Sequence, residues 1–145
     1  MDTPNKNLSE LRESNEKILD PEQLDNLFEA IGWKRRGPEK WKEVLTKSSH
    51  VFSIKDGDQV IGIGRFIEDG VMCMFYDIGV HPKYQGRGIG SKILKNLVEQ
   101  VKDKGYASIG LFAWEENPGN FPFYEKFGFV RQSSGMELVK YMKRE

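Results

Sequence analysis

The sequence predicts an α/β fold in which helices flank a central mixed, mostly antiparallel sheet. Two observations support this prediction. Stretches whose apolar residues recur at helical spacing lie on both sides of a region of β-branched and aromatic runs. Two Asp-Gly pairs, which are typical of β-hairpin turns, divide that region. Because 145 residues is the size of one ordinary domain, we expect residues 1–145 to form a single domain.

The composition argues against several classes of partner. The chain has 22 Lys and Arg residues and 22 Asp and Glu residues, so no bulk charge draws it to nucleic acid or to a membrane surface. No stretch approaches the roughly 18 apolar residues of a membrane span, and the first residues lack the apolar core of a signal peptide. The single Cys73 fits a reducing compartment. We therefore expect a cytoplasmic protein with no nucleic-acid or membrane partner.

The N-terminal elements are predicted from local signals. Residues 1–15 are polar and lack an apolar stripe, which indicates a loose arm, and residues 16–20 are predicted to form a short strand. A helix follows. Asp20 serves as its N-cap, Pro21 takes its first position, and Gly32 can end it in the left-handed conformation.

The middle of the chain changes from helical to strand spacing. After a second predicted helix at residues 38–47, residues 50–80 form three runs separated by the Asp-Gly turns, which predicts a three-stranded antiparallel meander. The third run is almost entirely apolar. We therefore expect both of its faces to be covered and this strand to lie centrally in the sheet.

The C-terminal part is predicted to extend the sheet. Residues 91–105 carry an apolar helical face, and residues 107–114 read as a buried strand. Because a strand, a helix and a strand follow one another, the second strand should lie parallel to the first through a right-handed crossover. A short helix at residues 120–129 and a last strand at residues 136–144 complete the prediction. An exposed last strand would allow a homodimer by edge pairing.

A glycine-rich turn, Gln-Gly-Arg-Gly-Ile-Gly-Ser at residues 85–91, joins the third strand of the meander to the next helix. A helix N-terminus presents unpaired N–H groups and the positive end of the helix dipole, which together bind anions such as phosphate. Three glycines would let the backbone approach phosphate closely, and two cations and a hydroxyl would add to the site: Gly86, Gly88, Gly90, Arg87, Lys92 and Ser91. The alternative is that the glycines only make a tight turn.

Two familiar phosphate motifs do not fit this turn. The dinucleotide-binding fingerprint would need a glycine where Ser91 stands, and the Walker motif would need Gly-Lys-Ser or Gly-Lys-Thr. Binding of some other phosphorylated nucleotide remains an open alternative, because it uses the same anion-site physics.

Two segments together resemble the Gcn5-related N-acetyltransferase (GNAT) superfamily: DIGVHPKYQGRGIGSKIL at residues 77–94 and NPGNFPFYEKFGF at residues 117–129. The superfamily's loop signature matches at Gln85, Gly88 and Gly90. The resemblance covers about residues 50 to 132. Residues 27–36 are also similar to a subset that includes arylalkylamine and plant chloroplast acetyltransferases.

The resemblance implies a GNAT-like acyl-CoA N-acyltransferase fold that uses acetyl-CoA as co-substrate and no metal. The loop would bind the pyrophosphate of acetyl-CoA, and the pantetheine arm would pair with the third strand of the meander as a pseudo-strand. Gly79 would give that arm room, although a bulge without a ligand is the alternative. The implied cofactor-binding residues are Ile78, Gly79, Val80, Gln85, Gly86, Arg87, Gly88, Ile89, Gly90, Ser91 and Asn117.

Tyr124 matches the superfamily position that commonly protonates the departing thiolate. A phenol suits this role because it stays protonated at neutral pH. The alternative for Tyr124 is a core residue on an amphipathic helix, and the alternative for Asn117 is an ordinary helix-start residue.

The sequence offers several candidates for the general base. The superfamily often places a glutamate where this chain has Met74. Asp77 is the only charge in that apolar strand, and burial of an isolated carboxylate raises its pKa, which would suit a base. We therefore expect Asp77 to act as a base or to contact substrate, with a structural hydrogen-bonding role as the alternative. Three glutamates are further candidates, each as readily explained as a surface charge: Glu68, Glu115 and Glu116.

Other reactive residue types have simpler readings. Cys73 reads as a buried packing residue and His81 as a structural one, and two histidines with one cysteine assemble no metal site. Trp33 and the basic run at residues 34–36 lie in the region that, by analogy with the superfamily, lines the acceptor side. The predicted site does not include the basic run, because such runs are usually solvated.

The sequence thus predicts an acetyl-CoA-dependent N-acetyltransferase that moves an acetyl group directly to a primary amine of a small molecule or a protein. Three alternatives stay open. The donor can be another acyl-CoA, the acceptor can be an alcohol, or the protein can be a noncatalytic acetyl-CoA-binding sensor or interaction module of the same fold.

Overall fold

The computed structural model describes residues 10–113, 119–133 and 135–143. Two compact units contain them, the first ending at Phe112 and the second beginning at Ala113. The single-domain organisation expected from length stays a prediction. Within the described residues, every helix is too short or too polar to cross a membrane.

The first unit is built on a five-stranded sheet in the order β1-β2-β3-β4-β5. Strands β1 to β4 are antiparallel neighbours, and β5 runs parallel to β4, so the predicted mixed, mostly antiparallel sheet is confirmed. The strands are β1 Arg12–Ser14, β2 His50–Asp56, β3 Gln59–Glu68, β4 Met72–Val80 and β5 Ser108–Gly110. The α-helices are α1 Pro21–Ile31, α2 Pro38–Lys47 and α3 Ile89–Val101 in the first unit and α4 Asn120–Glu125 in the second.

Helix α1 begins and ends as its sequence predicts. The Asp20 carboxylate accepts a hydrogen bond from the Glu22 N–H at 3.0 Å, and Gly32 ends the helix with φ 100°. The apolar side of α1 packs with α2 and one face of the sheet. The buried cluster is Leu19, Leu24, Leu27, Phe28, Trp41, Leu45, Val51, Val60 and Ile63.

Helix α3 covers the opposite face of the sheet at close range. A Cβ atom at Gly64 would lie 2.6 Å from Cγ2 of Ile93, and one at Gly62 would lie 2.9 Å from Cδ1 of the same residue. Successive strand residues point to opposite faces, so Ile63 meets α1 while its glycine neighbours meet α3. The glycines of β3 therefore allow helices to pack on both faces.

Strand β4 carries one extra residue relative to β3. Ile63 pairs with Gly79 and Arg65 pairs with Tyr76, so two steps along β3 correspond to three steps along β4. Asp77 lies in this bulge with φ 58° and is the one residue other than glycine with positive φ in the described part of the chain. The bulge places a side chain in a backbone conformation that most residues avoid.

Strand β4 lies inside the sheet between β3 and β5, as predicted, but β3 is the middle strand and the one that is buried along most of its length. Strand β5 is short, and its pairing with β4 ends at Met74 and Gly110. The bulged half of β4 is consequently only partly covered, and Tyr76, Asp77 and Ile78 are half-buried.

The predictions at the two ends of the chain are partly wrong. Residues 12–14 do not belong to a loose arm but form β1, tied to the next turn by the Arg12 guanidinium, which donates to the Gly57 carbonyl at 2.8 Å. Residues 16–20 lie outside any strand. Among residues 136–143 the regular element is a 3-10 turn at Val139–Tyr141, closed by local hydrogen bonds, so the predicted edge-pairing strand is not formed there.

Candidate active site

The glycine-rich turn leads directly into α3. Gly86 and Gly88 both have φ 80°, the left-handed conformation that glycine adopts without strain. Gly88 is the N-cap of α3, and no side chain caps the first N–H groups of this helix. Those N–H groups and the positive end of a 13-residue helix therefore face outward together, which is the geometry of an anion site.

The side chains of the turn divide into structural and available groups. The Gln85 amide donates to the Val80 carbonyl at 2.9 Å and so ties the turn to the end of β4. The Lys92 ammonium pairs with the Glu13 carboxylate at 2.6 Å. Of the two cations predicted for the anion site, Arg87 and Lys92, the second is therefore already paired. The Arg87 guanidinium makes no hydrogen bond or ion pair with any other described residue. Arg87 is therefore the cation that the turn leaves available.

The segment before the turn is fixed to the sheet at two points. The Tyr84 hydroxyl donates a short hydrogen bond to the Asp56 carboxylate at the β2–β3 hairpin. Burial and this carboxylate raise the pKa of Tyr84 to about 12, so the phenol remains a donor at neutral pH. The His81 N–H donates to the Ile61 carbonyl at 2.8 Å. The ring Nδ1 of His81 also accepts from the Lys83 N–H at 3.1 Å, which supports the structural role that the sequence indicated.

The strand segment Ile78–Val80 offers backbone groups at the bulged end of β4. It pairs with β3 on one side, whereas the ladder between β4 and β5 stops at Met74 among the described residues. An extended amide could therefore align with this segment. A Cβ atom at Gly79 would lie 2.8 Å from the Ile31 side chain and 3.0 Å from the Trp33 ring. The lack of a side chain at Gly79 thus gives room to Ile31 and Trp33 on the α1 side of the strand. That Gly79 also gives room to the pantetheine arm stays a prediction.

Asp77 lies in a charge network with two arginines. The Arg36 guanidinium donates to both of its carboxylate oxygens, at 2.7 and 2.9 Å, and Arg65 Nε donates to Oδ2 at 2.7 Å. Burial raises the pKa of Asp77, but the hydrogen bonds and charges of Arg36 and Arg65 outweigh burial and lower it. The raised pKa expected from the sequence is wrong, because the carboxylate is not isolated. Its predicted catalytic role stays a prediction, and the structural alternative gains support.

Asp25 holds the loop between α1 and α2 in place. Its carboxylate accepts from the Arg36 N–H at 2.7 Å, the Gly37 N–H at 3.0 Å and Trp41 Nε1 at 2.7 Å. Burial raises the pKa of this carboxyl group, and the three hydrogen bonds together with the charge of Arg35 lower it overall. A buried carboxylate that accepts three such bonds is ionised and orders the loop around it.

Sequence reasoning did not single out Asp25 or Arg65, and it left Arg36 outside the predicted site as part of the basic run; only Trp33 was placed on the acceptor side, by analogy with the superfamily. The two unnoticed residues carried a signal, since Asp25 interrupts the apolar side of α1 and Arg65 interrupts an apolar strand. A buried charge in such a position needs a partner. The pattern therefore predicts a network of paired charges but does not show which residues form it.

Tyr124 lies on α4 of the second unit. Its ring packs edge-on against Phe123 at 5.1 Å and Phe129 at 5.9 Å between centroids. Burial raises the pKa of Tyr124, so the hydroxyl keeps its proton at neutral pH. Asn117, Glu115 and Glu116 lie outside the described residues.

The remaining candidates have structural surroundings. Cys73 is buried, and burial together with the charge of Glu68 raises its pKa to about 11, which keeps the thiol protonated. His50 Nε2 lies 2.9 Å from Asn96 Oδ1. No group of His, Cys, Asp or Glu residues suited to a metal ion occurs in the part of the chain that the structure describes.

The family model for the acetyltransferase (GNAT) family matches residues 9–129. The chain belongs to the GNAT family. It is similar to the uncharacterized N-acetyltransferase ycf52 of Pyropia yezoensis, with 30% identity over 129 residues that cover 86% of this chain and 72% of the relative. A probable acetyltransferase from meticillin-resistant Staphylococcus aureus has a TM-score of 0.76 at 26% identity, covering 92% of this chain and 99% of its own.

A GNAT family acetyltransferase from Elizabethkingia anophelis, solved with acetyl-CoA bound, shares the fold. Its TM-score is 0.66 at 22% identity, and the match covers 86% of this chain and 78% of the other. Membership in the GNAT family confirms the predicted family, fold class and enzyme class, so this protein is an acyltransferase. The cytoplasmic location and the primary-amine acceptor stay predictions.

Proposed function

We propose that this GNAT enzyme transfers the acetyl group of acetyl-CoA directly to a primary amine of a small molecule or a protein, without a covalent enzyme intermediate. The observation that carries the proposal is the uncapped N-terminus of α3 at Gly88, which follows the bulged end of β4 after a short turn. Together they offer an anion site and an extended backbone segment, the two features that a pyrophosphate with an amide-bearing arm requires.

In this proposal the pyrophosphate is bound by backbone N–H groups of the turn and of the first turn of α3, with added charge from Arg87. The pantetheine arm aligns with the segment Ile78–Val80. Gln85 contributes by holding the turn to Val80, since its amide already donates to that carbonyl. The proposed cofactor-binding residues are Ile78, Gly79, Val80, Gln85, Gly86, Arg87, Gly88, Ile89, Gly90, Ser91 and Asn117.

Tyr124 is the proposed general acid. When the thioester carbon is attacked by the amine, the bond to sulfur breaks and the thiolate leaves with the electron pair. Tyr124 Oη gives its proton to that sulfur. Its raised pKa supports this role because the proton is present at neutral pH.

Asp77 is poorly suited to remove the proton from the amine. The two guanidinium groups stabilise the ionised carboxylate, which makes it a weak base for an ammonium group with a pKa near ~10. We propose that the amine loses its proton to water. Asp77 instead positions neighbouring residues through its hydrogen bonds with Arg36 and Arg65.

A noncatalytic acetyl-CoA sensor is the second candidate. It is favoured by Met74, which stands at the position where the superfamily often has a glutamate, together with the engaged state of Asp77. A sensor would bind CoA and acetyl-CoA without releasing free thiol in the presence of any amine.

Thermal unfolding with and without acetyl-CoA, CoA, ATP and NAD tests the proposal, followed by free-thiol release with a panel of primary amines. A ligand at about 100 times its dissociation constant should stabilise the protein by roughly 2.7 kcal/mol. We expect stabilisation by acetyl-CoA and CoA alone, and thiol release with at least one amine. Equal stabilisation by ATP or NAD would point to another nucleotide, and stabilisation without turnover would favour the sensor.

A further inference from the structure

The loop of residues 32–37 between α1 and α2, named here the α1–α2 loop, is tightly shaped. Gly32 and Gly37 at its ends have φ 100° and 87°, so the chain turns through left-handed conformations at both ends. Between them, Asp25 accepts the N–H groups of Arg36 and Gly37. The backbone of the loop is therefore fixed to α1, and its side chains have defined directions.

Arg36 joins this loop to β4. Its guanidinium donates to both oxygens of Asp77, a two-point geometry that fixes orientation as well as distance. The same guanidinium lies over the rings of Phe28 at 4.8 Å and Trp41 at 4.7 Å. Aromatic packing and the carboxylate together hold the Arg36 side chain in one position.

The Asp77 end of this contact is the bulge of β4. Asp77 has φ 58°, a conformation that persists only where surrounding contacts fix it. Arg65, which is itself buried, supplies a further hydrogen bond from β3. Arg36 and Arg65 thus fix the bulge from two different elements.

Trp33 stands three residues before Arg36 in the same loop. Its ring approaches the backbone of Gly79, two residues beyond Asp77, at 3.0 Å from the position a Cβ atom would take. It packs edge-on against Phe28 at 4.9 Å and remains 40% exposed. The exposed part of the ring therefore borders the strand segment that we assign to the pantetheine arm.

We propose that Arg36 is a positioning residue for acetyl transfer: by binding Asp77 it holds Trp33 against Gly79, and the amine acceptor lies against the exposed part of the Trp33 ring. The inference rests on the proposed transfer of acetyl from acetyl-CoA to an amine. Arg36 itself touches neither substrate. Loosening its contact moves the wall of the acceptor site while the turn that binds pyrophosphate stays in place.

The neighbouring Arg35 gives a matched control. It belongs to the same loop, but its guanidinium pairs with Glu22 at 3.2 Å and Glu29 at 3.1 Å on the surface of α1. The variants Arg36→Met, Arg36→Lys and Arg35→Met are compared by steady-state kinetics with 2-phenylethylamine, spermidine and Nα-acetyllysine methyl ester as acceptors. Calorimetry gives the Kd for CoA.

We expect Arg36→Met to raise the KM for the amine about tenfold and to change the Kd for CoA less than about twofold. Arg36→Lys should fall between it and the wild type, because an ammonium keeps the charge but not the two-point geometry. Arg35→Met should match the wild type. An Arg36→Met variant that matches Arg35→Met, or one that weakens CoA as much as the amine, would overturn the inference.

A second comparison guards against a variant that loses its fold. Asp77→Asn removes the other partner, and the double variant Arg36→Met/Asp77→Asn completes a cycle. We expect the double variant to raise the amine KM no more than the stronger single variant. Additive effects would contradict the inference. If the wild type binds CoA but acetylates none of the three amines, the proposed function fails and takes this inference with it, an outcome distinct from failure of the Arg36 variants alone.

Discussion

Arg65 Nε lies 2.7 Å from Asp77 Oδ2, between two strands that the sequence presents as almost wholly apolar. The contact joins β3 to the bulge of β4, and the side chains are 9% and 11% exposed. A carboxylate in this position stabilises the fold only while it is ionised, so its pKa must be low. A general base needs a higher pKa, so that it can accept a proton near neutral pH.

The Asp77 carboxylate gives a pH-dependent contribution to stability. Its pKa is lowered in the folded state from the usual 3.8, so the contribution is complete above that value and is lost as pH falls through the folded-state pKa. Breaking a buried pair costs about 3 kcal/mol, so Asp77→Asn should destabilise by that amount near neutral pH. The loss should shrink at about pH 2, as measured by urea unfolding at both pH values. An equal loss at both would show that the charge is not responsible.

Gly64 is needed for the approach of α3 to β3. In Gly64→Ala the new Cβ atom would meet Ile93 Cγ2 at 2.6 Å and Leu97 Cδ1 at 3.1 Å, so the helix must shift. We expect destabilisation of about 1–3 kcal/mol in urea unfolding. Gly135→Ala, where no atom lies within 4 Å of the new Cβ, is the control and should change little. If both variants unfold at the same urea concentration, α3 moves away from Gly64 at no measurable cost in the free energy of unfolding.

Arg87 and Lys92 should differ in their effect on the cofactor. Arg87 is unpaired among the described residues, whereas Lys92 is held by Glu13. A charge-assisted hydrogen bond contributes about 1.5–3 kcal/mol, so Arg87→Gln should weaken CoA binding about tenfold or more in calorimetry. Lys92→Gln should weaken it by less than about threefold. The reverse order would mean that Lys92 leaves Glu13 for the phosphates.

Tyr84 should matter only for donors that carry the pyrophosphate. Its bond to Asp56 fixes the segment before the turn, and removing one such bond costs about 1 kcal/mol. Tyr84→Phe should raise the KM for acetyl-CoA about fivefold and leave turnover of S-acetylpantetheine unchanged. Tyr106→Phe removes a phenol hydroxyl that interacts with Glu68, away from the turn, and serves as the control. If Tyr84→Phe is equally impaired with both donors, the bond between Tyr84 and Asp56 stabilises the protein as a whole and not the turn in particular.

Tyr124 should affect the chemical step rather than binding. General acids contribute about 100-fold or more, so Tyr124→Phe should lower kcat by about that factor with an unchanged Kd for CoA. Tyr141→Phe, an exposed hydroxyl on the same unit, is the control. If Tyr124→Phe keeps full turnover, Tyr124 is a packing residue and the thiolate is protonated by another group.

Local signals explain why much of the fold could be predicted. The Asp-Gly turns, the Asp20 cap and the apolar face of α3 act over a few residues, and each element formed where its signal lies. The partners of Asp77 could not be predicted in this way. Arg36 is 41 positions away in sequence, and it reaches β4 only because Asp25 and the two loop glycines turn the chain back.

The bulge of β4 was only partly predicted, because the sequence offered one as the alternative for Gly79 and the extra residue is at Asp77. A run of apolar residues has the same hydropathy pattern whether or not it contains one residue more than its partner strand. The short length of β5 has no clear local signal either. Both features decide which part of β4 is left uncovered. The loop signature predicted an anion site at residues 85–91, whereas the contacts around Asp77 required the structure.

The extra residue in β4 divides the strand into two halves of opposite phase. Before it, Phe75 pairs with Phe66 and lies on the α3 side of the sheet; four positions later, Gly79 meets Trp33 on the α1 side. In an uninterrupted strand those two positions would share a face. Deleting the residue at position 77 would restore strict alternation and leave every later side chain of β4 on its present face, because Ile63 already pairs with Gly79 and Arg65 with Tyr76. Keeping all the residues but pairing them without a bulge would instead turn the end of β4 over. The extra residue thus adds the Asp77 carboxylate to the sheet without changing the face that the following residues present.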